Sequence, residues 1–368
     1  MAHNIEEING VASFAENVLK GRAWHGLGND GQLFNRPMFV KEALEACHAN
    51  YKVELQPIVA LSPDILEKMA NGEMINPDML LDLVMPKAKA TMRTDRNETL
   101  GIVSDKYGIV QNEDAFKFVD MFCSGQFADR DNTPLIETCG VLGKGERVFV
   151  TAKFPNPIVL DAGRDDLVEM YVVFTTSHDG SGAVRCMVTP VRVVCNNTLN
   201  LAMSRNIGRI SFRHTVNVMN KLDLLKEENA EFAYKALNVY ETYSKGLKEC
   251  FDHLRNIKLA EKDLDNILAD VLLAPEAAKT FHQTGNIYDE GIATRGRNIF
   301  LGAKEAMLTG IGQEGQETGT GLWAINGLTT YFQNNANFKS QENKFDAIMD
   351  GGVYDKVNKA YDLILASA

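Results

Sequence analysis

The sequence predicts an α+β protein: antiparallel hairpins followed by a helix in a mixed N-terminal core, then a mostly helical C-terminal region. Three observations predict it. Segments dense in Val, Ile, Phe and Tyr alternate with Gly-containing turns between residues 51 and 188. An apolar stripe with i, i+3, i+4 spacing follows over 191–203. After Lys221 the chain becomes charged and rich in Ala and Leu. The change of texture divides the chain into a core with an N-terminal arm, 1–220, and a helical region, 221–368.

The first 35 residues are rich in Gly and Asn and read as an arm pinned by Trp24. Residues 38–49 place Phe39, Ala43, Ala46 and Cys47 on one helical face. Residues 51–61 read as a strand, and Ser62-Pro63-Asp64 opens a short helix, with Pro at its first turn. Over 87–93 the residues alternate, so Lys87, Lys89, Thr91 and Arg93 share one side of a strand. A helix is expected from about Glu113 to Cys123, started by Asn112. Residues 135–142 and 147–154 form a hairpin around Gly143-Lys144-Gly145. Strands at 167–176 and 183–188 flank a turn at 177–182. Thr189 as N-cap and Pro190 at the first helical position then start a helix. Its polar side carries Arg192, Asn196 and Asn200 at i, i+4 and i+8. The segment 222–273 is helical, Ala274-Pro275 interrupts it, 309–321 is a Gly-rich loop, and helices at 323–332 and 354–365 close the chain.

With 45% apolar and 24% charged residues the 368-residue chain is an ordinary folded composition, which excludes disorder throughout and fibrous architectures. No apolar run approaches the length of a membrane span, and the acidic start carries no signal peptide, so no membrane partner and a cytoplasmic location are expected. Six cysteines without C-x-x-C spacing are expected as reduced, mostly buried thiols, with no metal.

The net charge is −11, but its distribution is uneven. Between Asp179 and Asp223 lie 43 residues with no acid, holding Arg185, Arg192, Arg205, Arg209, Arg213 and Lys221. Such a run attracts polyanions, because neutralising phosphates releases counterions. Arg192, Asn196 and Asn200 can add hydrogen bonds to phosphates or base edges. Phe212, beside Arg213, can stack on an unpaired base. Lys87, Lys89 and Arg93 extend the track if their strand lies beside it. The expectation is a protein that binds single-stranded nucleic acid, needs no cofactor and forms a homo-oligomer.

Most enzymatic signatures are absent. Gly143-Lys144-Gly145 lacks P-loop spacing and Gly-x-Ser-x-Gly does not occur. His178-Asp179, on a turn between two strands, is the one pair resembling catalytic groups, as a base or metal ligands of a hydrolase-like enzyme. A third reading is a protein-binding scaffold or host-defence antagonist, using the Trp24 arm or the 310–321 loop.

Several of these segments also carry a resemblance. Trp24-His25-Gly26-Leu27-Gly28, Tyr107-Gly108-Ile109-Val110-Gln111-Asn112, Ser177-His178-Asp179-Gly180, the run from Thr189 to Leu199, and Gly319-Thr320 with Trp323 and Tyr331 resemble the phage/plasmid-like protein family. That family is a domain of unknown function from phages, plasmids and integrative elements. The resemblance implies a bacterial host cytoplasm as the setting and implies no particular activity. At the level of element order, hairpins followed by a helix with a basic groove are similar to ring-forming phage single-strand annealing recombinases, which implies strand annealing in recombination or replication.

Overall fold

The computed structural model describes residues 5–19, 23, 31–123, 133–161, 166–192, 197–198, 209–222, 246, 248–310, 313, 316–339, 343–344, 347–348 and 351–368; at 121–122, 160–161, 166, 190, 192, 197–198, 209–210 and 221 only the backbone is described. The chain opens with a small hairpin, β1 (Glu7–Ile8) and β2 (Val11–Ala12), and continues through β3 (Phe14–Asn17), β4 (Gln32–Phe34) and α1 (Val40–Ala46). Then come β5 (Val53–Val59), α2 (Pro63–Ala70), α3 (Pro77–Leu81), β6 (Val84–Arg93), β7 (Glu98–Ser104) and α4 (Asn112–Cys123). The strands β8 (Leu135–Leu142), β9 (Arg147–Lys153), β10 (Ile158–Asp161), β11 (Asp166–Ser177), β12 (Val184–Arg192), β13 (Asn197–Thr198) and β14 (Arg209–Phe212) follow.

Two sheets organise this half. Among the described residues the main sheet has nine strands, in the order β13-β12-β11-β9-β8-β3-β4, with β10 beside β11 and β14 beside β12; the smaller one is β5-β6-β7. The hairpins are antiparallel, as the sequence predicts. The β8–β9 turn rests on Gly143 and Gly145, at φ 71° and 111°, where a side chain would be strained. Helices α1 and α4 cover one face of the main sheet. Phe118 of α4 lies 5.3 Å from the Phe174 ring of β11, and Cys139 of β8 reaches the Ala43 carbonyl of α1. Ser62 caps α2 by accepting from the Ile65 N–H, as its position before Pro63 predicts.

The expected helix start at Thr189 is corrected. Thr189 and Pro190 lie inside β12, opposite Tyr171 and Met170 of β11, and β13 returns beside Val191 and Arg192. Three residues of that 191–203 stripe, Val191, Val194 and Thr198, are β-branched, and β-branched residues favour the pleated strand. Pro190 is tolerated because the outer side of β12 is unpaired over 188–190 among the described residues, where a missing N–H breaks no ladder.

Beyond the strands the described elements include α5 (Val218–Leu222), α6 (Glu261–Leu272), α7 (Pro275–Thr284), α8 (Thr294–Thr309), α9 (Gly321–Thr330), a π turn over Tyr331–Asn335, and α10 (Gly352–Ala366). Thr320 caps α9 by accepting from the Trp323 N–H at 3.1 Å. Every residue of α9 is buried, which is why it reads as apolar all round rather than striped. It packs on α8 and α10 and also lies against β13, joining the helices to the main sheet. No described helix is long and apolar enough to cross a membrane. The described cysteines, Cys47, Cys123, Cys139, Cys186 and Cys250, carry free thiols.

Candidate nucleic-acid interface

The acid-free run builds one edge of the main sheet. β14 pairs with β12 through Val184 with Phe212, Arg185 with Ser211 and Met187 with Arg209. Among the described residues β13 and β14 are therefore the outermost strands on this side, and they come from the run without acids. Arg213, one residue past β14, is exposed and makes no ion pair among the described residues. Arg185 is half-buried. Arg192 and Arg209 are placed by backbone alone, and Asn196, Asn200, Arg205 and Trp24 lie outside the described residues. Phe212, expected to stack on a base, is half-buried and packs against the core.

A junction between the two sheets brings the second basic set near this edge. The Asp105 N–H donates to the Lys87 carbonyl at 3.3 Å. Two residues on, Tyr107 stacks on His214 at 4.7 Å, and the Gly108 N–H donates to the His214 carbonyl at 3.3 Å. Gly108 has no room for a side chain, since a Cβ there would overlap the Thr215 carbonyl. The 105–108 turn thus links the Lys87 end of β6 to the chain just beyond Arg213. Lys87 is exposed and Lys89 half-buried, and neither makes an ion pair among the described residues.

Arg93 is a correction. It is 1% exposed, and its guanidinium is held by Glu6 and by Asp95, with Nε at 2.7 Å from Oδ1. It also donates to the Lys144 carbonyl at 3.0 Å and lies 3.8 Å from the Tyr51 ring centroid. Alternation correctly puts Lys87, Lys89, Thr91 and Arg93 on one face of β6, but that face runs from solvent at Lys87 into the core at Thr91 and Arg93. Arg93 therefore ties the β1 arm to the β6–β7 sheet and does not extend a phosphate track.

The His178–Asp179 pair is also corrected. His178 is 0% exposed, and its Nε2 lies 2.8 Å from Asn112 Oδ1. Burial, with His214 nearby, holds its imidazole down at about 3, so it stays neutral. Asp179 turns the other way: its Oδ1 accepts from the Ser181 N–H at 2.9 Å and the Ser181 hydroxyl at 2.7 Å, closing the turn. The geometry that a hydrolase-like His–Asp couple requires is absent. Among the described residues no three His, Cys, Asp or Glu side chains gather as a metal site.

One polar cluster was missed. Glu137 sits on a bulge of β8, where the pairing with β9 shifts between Ile136 and Thr138. Lys153 reaches it at 3.7 Å and Glu169 at 2.5 Å, while the Tyr171 hydroxyl donates to Glu169 at 2.7 Å. Burial pushes the Glu137 carboxyl up to about 7, with Glu169 and Glu16 adding to the rise and Lys153 opposing it. The available signal was a lone charge inside the otherwise uncharged strand 135–142.

No curated protein matches the chain, and no solved structure does. A family model described as "Domain of unknown function (DUF932)" matches residues 99–349. That stretch runs from β7 through the C-terminal helices as far as the start of α10, and it includes the acid-free edge and the Tyr107–Gly108 turn. It leaves out β5, β6 and the Glu6–Tyr51–Arg93 contacts. By that match over more than half of its length, the chain belongs to the DUF932 family.

Proposed function

We propose that this chain binds single-stranded nucleic acid along the acid-free edge of its main sheet. It does so as a homo-oligomer that serves strand annealing in recombination or replication of a phage, plasmid or integrative element, in the cytoplasm of the bacterial host. The observation that carries the reading is that, among the described residues, the run without acids supplies the outermost strands of the main sheet, from which Arg213 leaves exposed and without an ion pair. An edge that offers cations and no carboxylates attracts phosphates and gains affinity by counterion release. In this reading Arg185, Arg192, Arg205, Arg209 and Arg213 hold phosphates, Asn196 and Asn200 add hydrogen bonds, and Lys87 and Lys89 extend the contact across the 105–108 turn. No cofactor is needed.

The test is a salt titration with a labelled single-stranded oligonucleotide. Affinity should fall steeply between 50 and 200 mM salt, and Arg213→Gln should lower the log–log salt slope by about 1. No binding at low salt, or binding indifferent to salt, rejects the reading. The exposed Leu66, Met69, Met74, Met79 and Leu81, on and around α2 and α3, favour a second reading: a protein-binding scaffold or host-defence antagonist. Particle mass separates the two readings, since only nucleic-acid binding adds oligonucleotide mass to the oligomer.

A further inference from the structure

A cleft of about 660 Å³ opens where α6 turns into α7, facing α10. Its apolar wall is Val271, Leu272, Leu273 and Ala278, and its cations are Lys279 from α7 with Lys356 and Lys359 from α10. The lining holds one carboxylate, Asp270, which is already engaged: its Oδ1 lies 2.8 Å from His282 Nε2. None of the three lysines pairs with a carboxylate among the described residues. Lys359 donates to the Asp270 carbonyl at 2.6 Å and Lys356 to the Gly352 carbonyl at 3.4 Å. An ammonium has three donors, so both keep donors for a ligand. Elsewhere in the helical region Lys258 takes Glu317 and Lys304 takes Asp265 and Glu261. In a chain of net charge −11, three lysines without a carboxylate partner among the described residues gather around this one cleft.

The backbone adds to the same field. The ten-residue helix α7 starts at this corner, with Ala274 at its N-cap and no capping side chain. Its first-turn acid, Glu276, is exposed and outside the lining. The positive end of α7 therefore joins the lysines at the mouth. A volume in the range of small-molecule sites, an apolar wall and a cationic rim together define one ligand chemistry.

We infer that this cleft binds a small phosphorylated organic molecule, its phosphate held by Lys279, Lys356 and Lys359 and its apolar body laid on Leu272 and Leu273. The site is separate from the sheet edge and stands on different residues.

The test uses the full chain and two probes, inorganic phosphate and phenyl phosphate, titrated by calorimetry at low salt. Phenyl phosphate should bind saturably and more tightly than inorganic phosphate. Lys356→Gln with Lys359→Gln should weaken it tenfold or more. Lys279→Gln, a single change on an exposed position, should weaken it several-fold and serves if the double variant fails to fold. Arg213→Gln should leave phenyl phosphate binding unchanged, and the lysine variants should leave oligonucleotide affinity unchanged, so the two proposals fail separately. Absence of saturable phenyl phosphate binding, equal affinity for both probes, or affinity that survives the lysine substitutions overturns the inference.

Discussion

Arg93 and Arg213 stand at the ends of two strands, β6 and β14, on the two sheets joined at the Tyr107–Gly108 turn, yet their surroundings are opposite. Arg93 is enclosed by Glu6, Asp95, the Lys144 carbonyl and the Tyr51 ring. Arg213 is exposed, with no carboxylate at hand among the described residues. The difference lies in the supply of acids. Asp95 is two residues from Arg93 on the turn to β7, and Glu6 comes from the β1 arm. Around Arg213 the chain offers no acid from 180 to 222. A cation with local carboxylates is drawn into structure, whereas one inside an acid-free run stays available to an outside anion.

The largest effect should come from Arg93. Arg93→Met leaves Glu6 buried with Arg96, at 3.1 Å, as its one charged partner among the described residues. Losing one partner of a buried pair costs ~3–5 kcal/mol. Urea unfolding should show that loss, and adding Glu6→Gln should recover part of it. A change below ~1 kcal/mol would mean that the pair contributes no more than a surface one. Gly108 comes next. Gly108→Ala forces a methyl into the Thr215 carbonyl and should cost ~1–3 kcal/mol. It should also weaken oligonucleotide binding if the junction holds the Lys87 and Arg213 ends together. Unaltered binding in a folded Gly108→Ala protein would remove β6 from the proposed interface.

The third effect depends on pH. His178 is held at about 3 against an ordinary 6.5, so between those values the unfolded chain binds a proton that the folded one refuses. Stability from this group falls as pH drops through that window, by ~1.4 kcal/mol per unit. His214, also lowered by burial, adds in the same direction. Glu137 works in reverse. Raised to about 7 from an ordinary 4.5, it keeps a proton in the folded state that the unfolded chain releases, so its contribution falls as pH rises between those values. The two slopes oppose each other from 4.5 to 6.5. Glu137→Gln should expose the His178 slope, a stability that climbs with pH, and His178→Asn should expose the opposite one. A Glu137→Gln profile parallel to the parent would show that Glu137 titrates normally.

Much of the fold was legible because its signals were local. The β8–β9 hairpin followed from Gly143 and Gly145, α2 from Ser62-Pro63, and α4 ends at Cys123 as expected and begins one residue before the expected Glu113. Thr189-Pro190 misled because the same dipeptide that starts a helix also fits a strand whose outer side is unpaired. The candidate site was legible in charge and illegible in depth. Alternation identified the shared face of Lys87 and Arg93, but which end of β6 is covered depends on Glu6 and Lys144, distant in sequence. His178 and Asp179 were adjacent in the chain, and only the packing against Asn112 reveals that they point apart.

The smallest stability effect is the sharpest test of the comparison. Arg213→Met removes an exposed side chain with no ion pair among the described residues, so unfolding free energy should stay within ~0.5 kcal/mol of the parent. Oligonucleotide affinity at low salt should nevertheless drop, and drop less at high salt, because one lost phosphate contact releases one set of counterions fewer on binding. Lys87→Met should follow the same pattern more weakly, since Lys87 reaches the edge only across the 105–108 turn. If Arg213→Met instead destabilised the fold as Arg93→Met does, Arg213 would have a structural partner in the assembled protein, and the distinction between an arginine that is consumed and one that is presented would fail at its presented end.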